Sequence, residues 1–145
     1  MNQHITMAFA SLLMKACFVF VIMPSCTFAQ QKTDFSKVKI FFYTHNDSLL
    51  LEKQDGTKKL QFQVDGIKDE YDAAIFTSTM KMYKGIITIK ISNPTVNGFR
   101  QVDADCKIGY KLENVSYVLG DVFKIPIVYV DNQEVQTKKL TETYQ

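Results

Sequence analysis

The chain has 145 residues, of which 46% are hydrophobic and 22% charged, and its formal net charge is +2. That length allows one domain, and that balance excludes wholesale disorder. A charge so near neutral, with both signs interspersed and no basic stripe carrying aromatics, excludes an electrostatic nucleic-acid interface.

In chain order, residues 1–29 read as a secretory signal peptide. Lys15 precedes the apolar run Ala16–Met23, Pro24 and Ser25 break it, and small residues at Thr27 and Ala29 suit cleavage after Ala29. The run is too short for a comfortable membrane span. Met23-Pro24-Ser25-Cys26 resembles a bacterial lipobox with two poor matches, so ordinary cleavage is preferred to lipidation at Cys26. A membrane partner is expected only with that lipidation or with an uncleaved signal. Cleavage removes Cys17 and Cys26, leaves Cys106 alone, and so precludes an intramolecular disulfide.

Residues 30–59 read as a polar, flexible lead-in followed by a β-hairpin extension. Val38, Ile40 and Phe42 share one strand face, and Lys37, Lys39, Phe41 and Tyr43 share the other, so both faces are partly apolar. Thr44–Ser48 is a turn, and His45 within it reads as a solvated turn residue rather than a base or ligand. Leu49–Leu51 begin a second strand, and Asp55-Gly56 signals a hairpin turn. The pair is expected to add an edge strand or to cover an open sheet face.

Leu60, Phe62 and Val64 alternate with Gln61, Gln63 and Asp65, which makes a half-buried strand. Asp69 or Glu70 can cap the helix that follows. Ala73, Phe76, Met80 and Tyr83 fall on one face of that helix. Gly85 suits its end, and Ile86, Ile87, Ile89 and Ile91 form a β-branched strand. A helix between two strands implies parallel strands and a right-handed crossover. Val102, Ala104, Cys106, Ile108 and Tyr110 alternate as an amphipathic strand, which places Cys106 in the core as a small hydrophobe. Residues 113–123 predict a short helix with Asn114 as N-cap, and Asn114 also opens an N-V-S sequon. Ile125–Val130 closes the sheet, and the polar residues after Asp131 predict a frayed C-terminal tail over 132–145.

The order from Leu60 is therefore β-α-β-β-α-β. The expected class is α+β: a ferredoxin-like sandwich over 60–131, with both helices on one face of an antiparallel four-stranded sheet. Gln61, Gln63, Lys90, Asp105 and Lys107 would make the other face mostly polar.

The pattern G-I-x-D-x-x-D-A-x-x-F-x-x-x-M-x-x-x-x-G-I-x-x-I-x-I, from Gly66 to Ile91, resembles the heavy-metal-associated domain of copper chaperones, metal-transporting ATPases and mercury carriers. The resemblance extends over Leu60 to about Val130. That family carries G-M-x-C-x-x-C in its loop, and its two metal-binding cysteines fall on Asp69 and Asp72 of this chain. Thiolates hold soft ions such as Cu(I), whereas carboxylates prefer Ca, Mg or Mn. Asp69, Glu70 and Asp72 thus make at best a weak, degenerate site for a divalent cation, and helix capping is the preferred reading.

No H-E-x-x-H, P-loop, G-x-G-x-x-G or G-x-S-x-G motif occurs, and one mature histidine with one cysteine leaves no evident triad. Catalysis and a bound cofactor are not expected. The leading expectation is an exported, periplasmic or secreted binding module that has lost a thiolate metal site, with an unknown protein as partner. The alternatives are a metal carrier or sensor using Asp69, Glu70 and Asp72, and a small periplasmic enzyme or inhibitor.

Overall fold

Ile40 and Phe42 alternate inward along β1 (Lys39–Phe42) and are buried, while Lys39 and Phe41 turn outward. A computed structural model describes residues 33–144 of the chain; the expected signal peptide, with Cys17 and Cys26, lies outside the described residues. After β1 the chain reverses over Asn46 and Asp47, whose φ angles are 51° and 62°, and His45 and Ser48 exchange backbone hydrogen bonds across them. Asn and Asp occupy this left-handed region more readily than other side chains.

β2 (Leu50–Glu52) pairs antiparallel with β3 (Lys58–Asp65) across the turn that holds Gly56, so the Asp55-Gly56 hairpin forms as expected. β1 and β2, however, do not pair with each other. β1 takes Phe62–Asp65 of β3 and β2 takes Lys58–Leu60, so the two lie end to end along one edge of a strand long enough for both.

α1 (Glu70–Met82) buries Ala73, Phe76 and Met80, the expected stripe. Tyr83 caps its C-terminus and is only partly buried, packing edge-on against Tyr117. Gly85 has a φ of 116°, and a Cβ there would lie 2.4 Å from the Tyr110 ring. Glycine is required at this position both by conformation and by close approach.

β4 (Ile86–Ile91) and β5 (Arg100–Cys106) are antiparallel, and β5 is antiparallel to β3, so β3 and β4 run in the same direction. The expected strand reached Tyr110, but β5 stops at Cys106. Gly109 turns the chain with a φ of 75°, Ile108 is 72% exposed, and Tyr110 returns to the core from the turn. α2 (Leu112–Tyr117) begins at the buried Leu112, with Lys111 at the cap instead of Asn114. It widens into a π-helical turn over Val118–Val122.

β6 (Ile127–Val130) pairs parallel with β1 and antiparallel with β7 (Gln133–Gln136). A 3-10 turn (Thr137–Lys139) and α3 (Leu140–Thr143) follow. The tail expected to fray is instead part of the fold, because Leu140 and Thr137 are fully buried.

The architecture is mixed α+β on a mostly antiparallel sheet in the order β4-β5-β3-β1-β6-β7, with β2 beside β3. β1 neither edges nor covers the sheet; it sits in the middle, between β3 and β6. One core joins the inward strand residues Phe62, Val102 and Val128 to Phe76, Leu119 and Leu140 of the helices. The lead-in adds to this core as well. Phe35 packs edge-on against Phe76 and Phe123, whose rings stack at 4.6 Å. Among the described residues, the helices pack their buried side chains into this one core, and the other sheet face carries Gln61, Asp103 and Asp105.

Candidate functional site

The acidic loop lies between β3 and α1, at the mouth where the sequence pattern puts it, and its three acids have separate local partners. Asp69 is the N-cap, and its carboxylate accepts from the Asp72 N–H at 2.8 Å. That contact satisfies one of the free donors at the helix start. Glu70 Oε1 accepts from Arg100 Nη1 at 2.8 Å. Asp72 Oδ1 accepts from Thr33 Oγ1 at 3.1 Å. Among the described residues, no three His, Cys, Asp or Glu side chains gather closely enough to hold a metal ion. The loop thus brings Asp69 and Asp72 together as cap and first turn, and turns Glu70 toward a cation.

Arg100 is the residue that the sequence reading passed over. Its side chain is 3% exposed, whereas that of Glu70 is 73% exposed. Nη1 also donates to the Ser92 carbonyl at 3.3 Å, and Nε has no hydrogen-bond partner among the described residues. Burying a guanidinium is costly unless it is paired and hydrogen-bonded. Its signal was present, because Arg100 extends the inward alternation of Val102, Ala104 and Cys106 by one step.

Cys106 and His45 are the one cysteine and the one histidine among the described residues, and they lie apart with no shared partner. Cys106 is fully buried, and burial, aided by Asp105, pushes its thiol up to about 11. A thiol held neutral is a poor nucleophile. His45 lies exposed on the β1–β2 turn. The Tyr110 hydroxyl is buried without a hydrogen-bond partner among the described residues, and burial raises its pKa.

The sheet face turned away from the core divides into two halves. Over β3, β4 and β5 it is polar, and its two aspartates are paired: Lys53 with Asp105 at 2.6 Å, Lys59 with Asp103 at 3.2 Å, and Thr88 donating to Asp105 at 3.0 Å. The Lys53 and Thr88 hydrogen bonds hold the Asp105 carboxyl below its ordinary range. Toward β1 and β6 the face is aromatic. Phe41 stacks on Tyr129 at 4.9 Å and meets Phe99 edge-on at 5.3 Å. Tyr43 and Ile127, 44% and 39% exposed, flank this row. The expectation of a mostly polar face therefore holds for one half only. The other half follows from β1 lying inside the sheet, which turns the outward residues Phe41 and Tyr43 onto that face.

No protein-family model matches the chain, and no curated protein or solved structure matches it significantly.

Proposed function

We propose that this chain is an exported, non-catalytic binding module that takes a protein partner on the aromatic half of its open sheet face. The observation that carries this reading is the row Phe99–Phe41–Tyr129. Aromatic side chains bury large area at low entropic cost and dominate binding surfaces. Set in the sheet beside a polar half where Asp103 and Asp105 are already paired with Lys59 and Lys53, the row is the part of the face with the most to gain from being covered.

We read the architecture as a ferredoxin-like β-α-β-β-α-β core, β3-α1-β4-β5-α2-β6, into which β1 has been inserted. Supporting this reading, the order without β1 is β4-β5-β3-β6-β7, whose first four strands follow the neighbour order of the split arrangement. On this reading the loop that holds two thiolates in heavy-metal-associated domains holds Asp69 and Asp72 as helix-start residues. Soft-metal transfer is then lost, and the sheet face carries the function. Export rests on the signal-peptide features of residues 1–29.

The experiment is to crosslink the exported protein in its own cells, purify whatever partner is recovered, and measure its affinity directly. Phe41→Ser combined with Tyr129→Ser should weaken that complex at least about tenfold, since aromatic anchors are typical hot spots. A complex indifferent to the pair sinks the sheet-face reading. Cu(I) bound more tightly than micromolar in a competition titration would sink the loss of the metal site.

A further inference from the structure

The sheet ends at β4, and that edge differs from the edge at β7. β7 presents Gln133, Glu134 and Gln136, all exposed, around the partly buried Val135. β4 pairs only with β5 among the described residues, and it carries Ile87, Ile89 and Ile91. Ile87 is 45% exposed, and Ile89 and Ile91 join the core without being fully covered. An apolar edge with unpaired backbone is a template for another strand.

Hydrogen-bond phase fixes which backbone groups are free. The Ser92 N–H donates to the Gln101 carbonyl, and Lys90 stands opposite Asp103. Bonding alternates along an antiparallel pair, so the N–H and C=O of Ile89 and Ile91 point away from β5. A second β4, related by a two-fold axis, can bond to them with the axis at Ile89, at Lys90 or at Ile91. The β-bulge between Ile86 and Thr88 lies at the end of such a pairing.

Charge selects the register. An axis at Lys90 sets that lysine against its own copy, which is unfavourable. An axis at Ile89 sets Lys90 beside Thr88 of the second copy instead. α1, which packs over β4, separates the remaining choices. On one flank of α1, Asp72 and Tyr83 are taken up by Thr33 and Tyr117. At about 3.6 residues per turn, Glu70, Thr77 and Lys81 form a row on the other flank, toward the free edge. Arg100 bonds both Glu70 and the Ser92 carbonyl, so the start of α1 is level with the end of β4. Ile91 is therefore near the level of Glu70, and an axis there sets that acid against its own copy. Ile89 lies roughly 10 Å back from Ser92 along the strand. The midpoint between Glu70 and Lys81 lies roughly 8 Å along the helix from Glu70. One axis passes near both, and it sets Lys81 of each helix against Glu70 of the other. Glu70 meets Arg100 through Oε1 with its side chain 73% exposed, and Lys81 has no ion pair among the described residues.

We infer that the chain forms a two-fold dimer by antiparallel pairing of β4 with β4 of a second copy, centred on Ile89 and clamped by two Glu70–Lys81 ion pairs. The two sheets become one, and the aromatic row of each copy, on the far side of β3, stays uncovered.

The test is sedimentation equilibrium of the purified chain, which should show monomer and dimer with a Kd below about 100 μM. Thr88→Lys sets a lysine against Lys90 of the second copy, and Lys81→Glu sets two acids together. Each should weaken the dimer at least about tenfold, with the melting temperature of the dilute protein moved by only a few degrees. Thr88→Cys combined with Lys90→Cys should give a disulfide-linked dimer on mild oxidation, and neither single variant should. The two positions face each other across the axis at about 4.5 Å between Cα atoms, within disulfide reach. A chain that is monomeric at about 200 μM overturns the assignment. So does a dimer that both charge variants leave intact, or a double-cysteine variant that forms no covalent dimer. A dimer abolished by Phe41→Ser with Tyr129→Ser also overturns it, because the contact would then lie on the aromatic face.

Discussion

Gly85 carries two constraints at once, and they add. Its φ of 116° lies in a region that side chains rarely enter, and the Tyr110 ring occupies the space where a Cβ would be. Gly85→Ala should cost about 2–4 kcal/mol in urea unfolding, combining backbone strain with overpacking. In a Tyr110→Leu background the same substitution should cost clearly less, because the clash is removed and only the strain remains. Equal costs in both backgrounds would mean that the ring is not the obstacle. The sequence shows Gly85 as a helix stop but not its second role, since Tyr110 approaches it through the fold rather than along the chain. Arg100 teaches a similar lesson. An inward charge is visible from the alternation of β5, whereas its pairing with Glu70, 30 residues away, is not.

Elements followed local pattern wherever one face was strongly apolar. α1, β3 and β5 lie where periodicity put them, with β5 stopping short of Tyr110 at the Gly109 turn. The segment after Asp131 is the exception. Its composition is polar, yet β7 pairs with β6, and α3 inserts Leu140 into the core at 0% exposure. One buried leucine in a polar stretch gives no periodic signal, so the docking was illegible. Leu140→Ala should therefore destabilise the protein by about 2–5 kcal/mol, as other core truncations do. A change within about 0.5 kcal/mol would restore the picture of a frayed tail.

For the molecule as a whole, the buried and hydrogen-bonded titratable groups set a window of pH stability. Asp34, Asp55, Asp105 and Asp131 are held below the ordinary value of 3.8 by hydrogen bonds from Ser36, Thr57, Lys53 and Thr44 respectively. A carboxyl with a depressed folded pKa contributes stability that is present above its unfolded pKa and is lost as pH falls through the folded one. At the other end, Cys106 is raised from 9.0 to about 11 and Tyr110 is raised from 10.0, both first by burial. Their contribution is complete below their unfolded pKa values and is lost as pH climbs past them. The melting temperature should thus be flat with respect to these groups from about pH 5 to 8, falling below about 4 and above about 9. Cys106→Ala should blunt the alkaline fall in stability, and an alkaline limb identical to that of the parent would remove the thiol from the account.

By itself the sequence determined the α+β class, the succession of core strands and helices from Leu60 to Val130, the buried cysteine and the capping acids, because each depends on neighbours within a few residues. Only the tertiary structure decided where β1 goes. Its two-faced pattern suited an edge, a cover or a central strand equally well, and the parallel pairing of Phe41 and Phe42 with Tyr129 and Val130 selected the last. That one placement, a contact between residues almost ninety positions apart, brings Phe41 against Tyr129 and makes the aromatic face; no local rule relates two strands that far apart, since which partner a strand finds is set by the packing of the whole sheet.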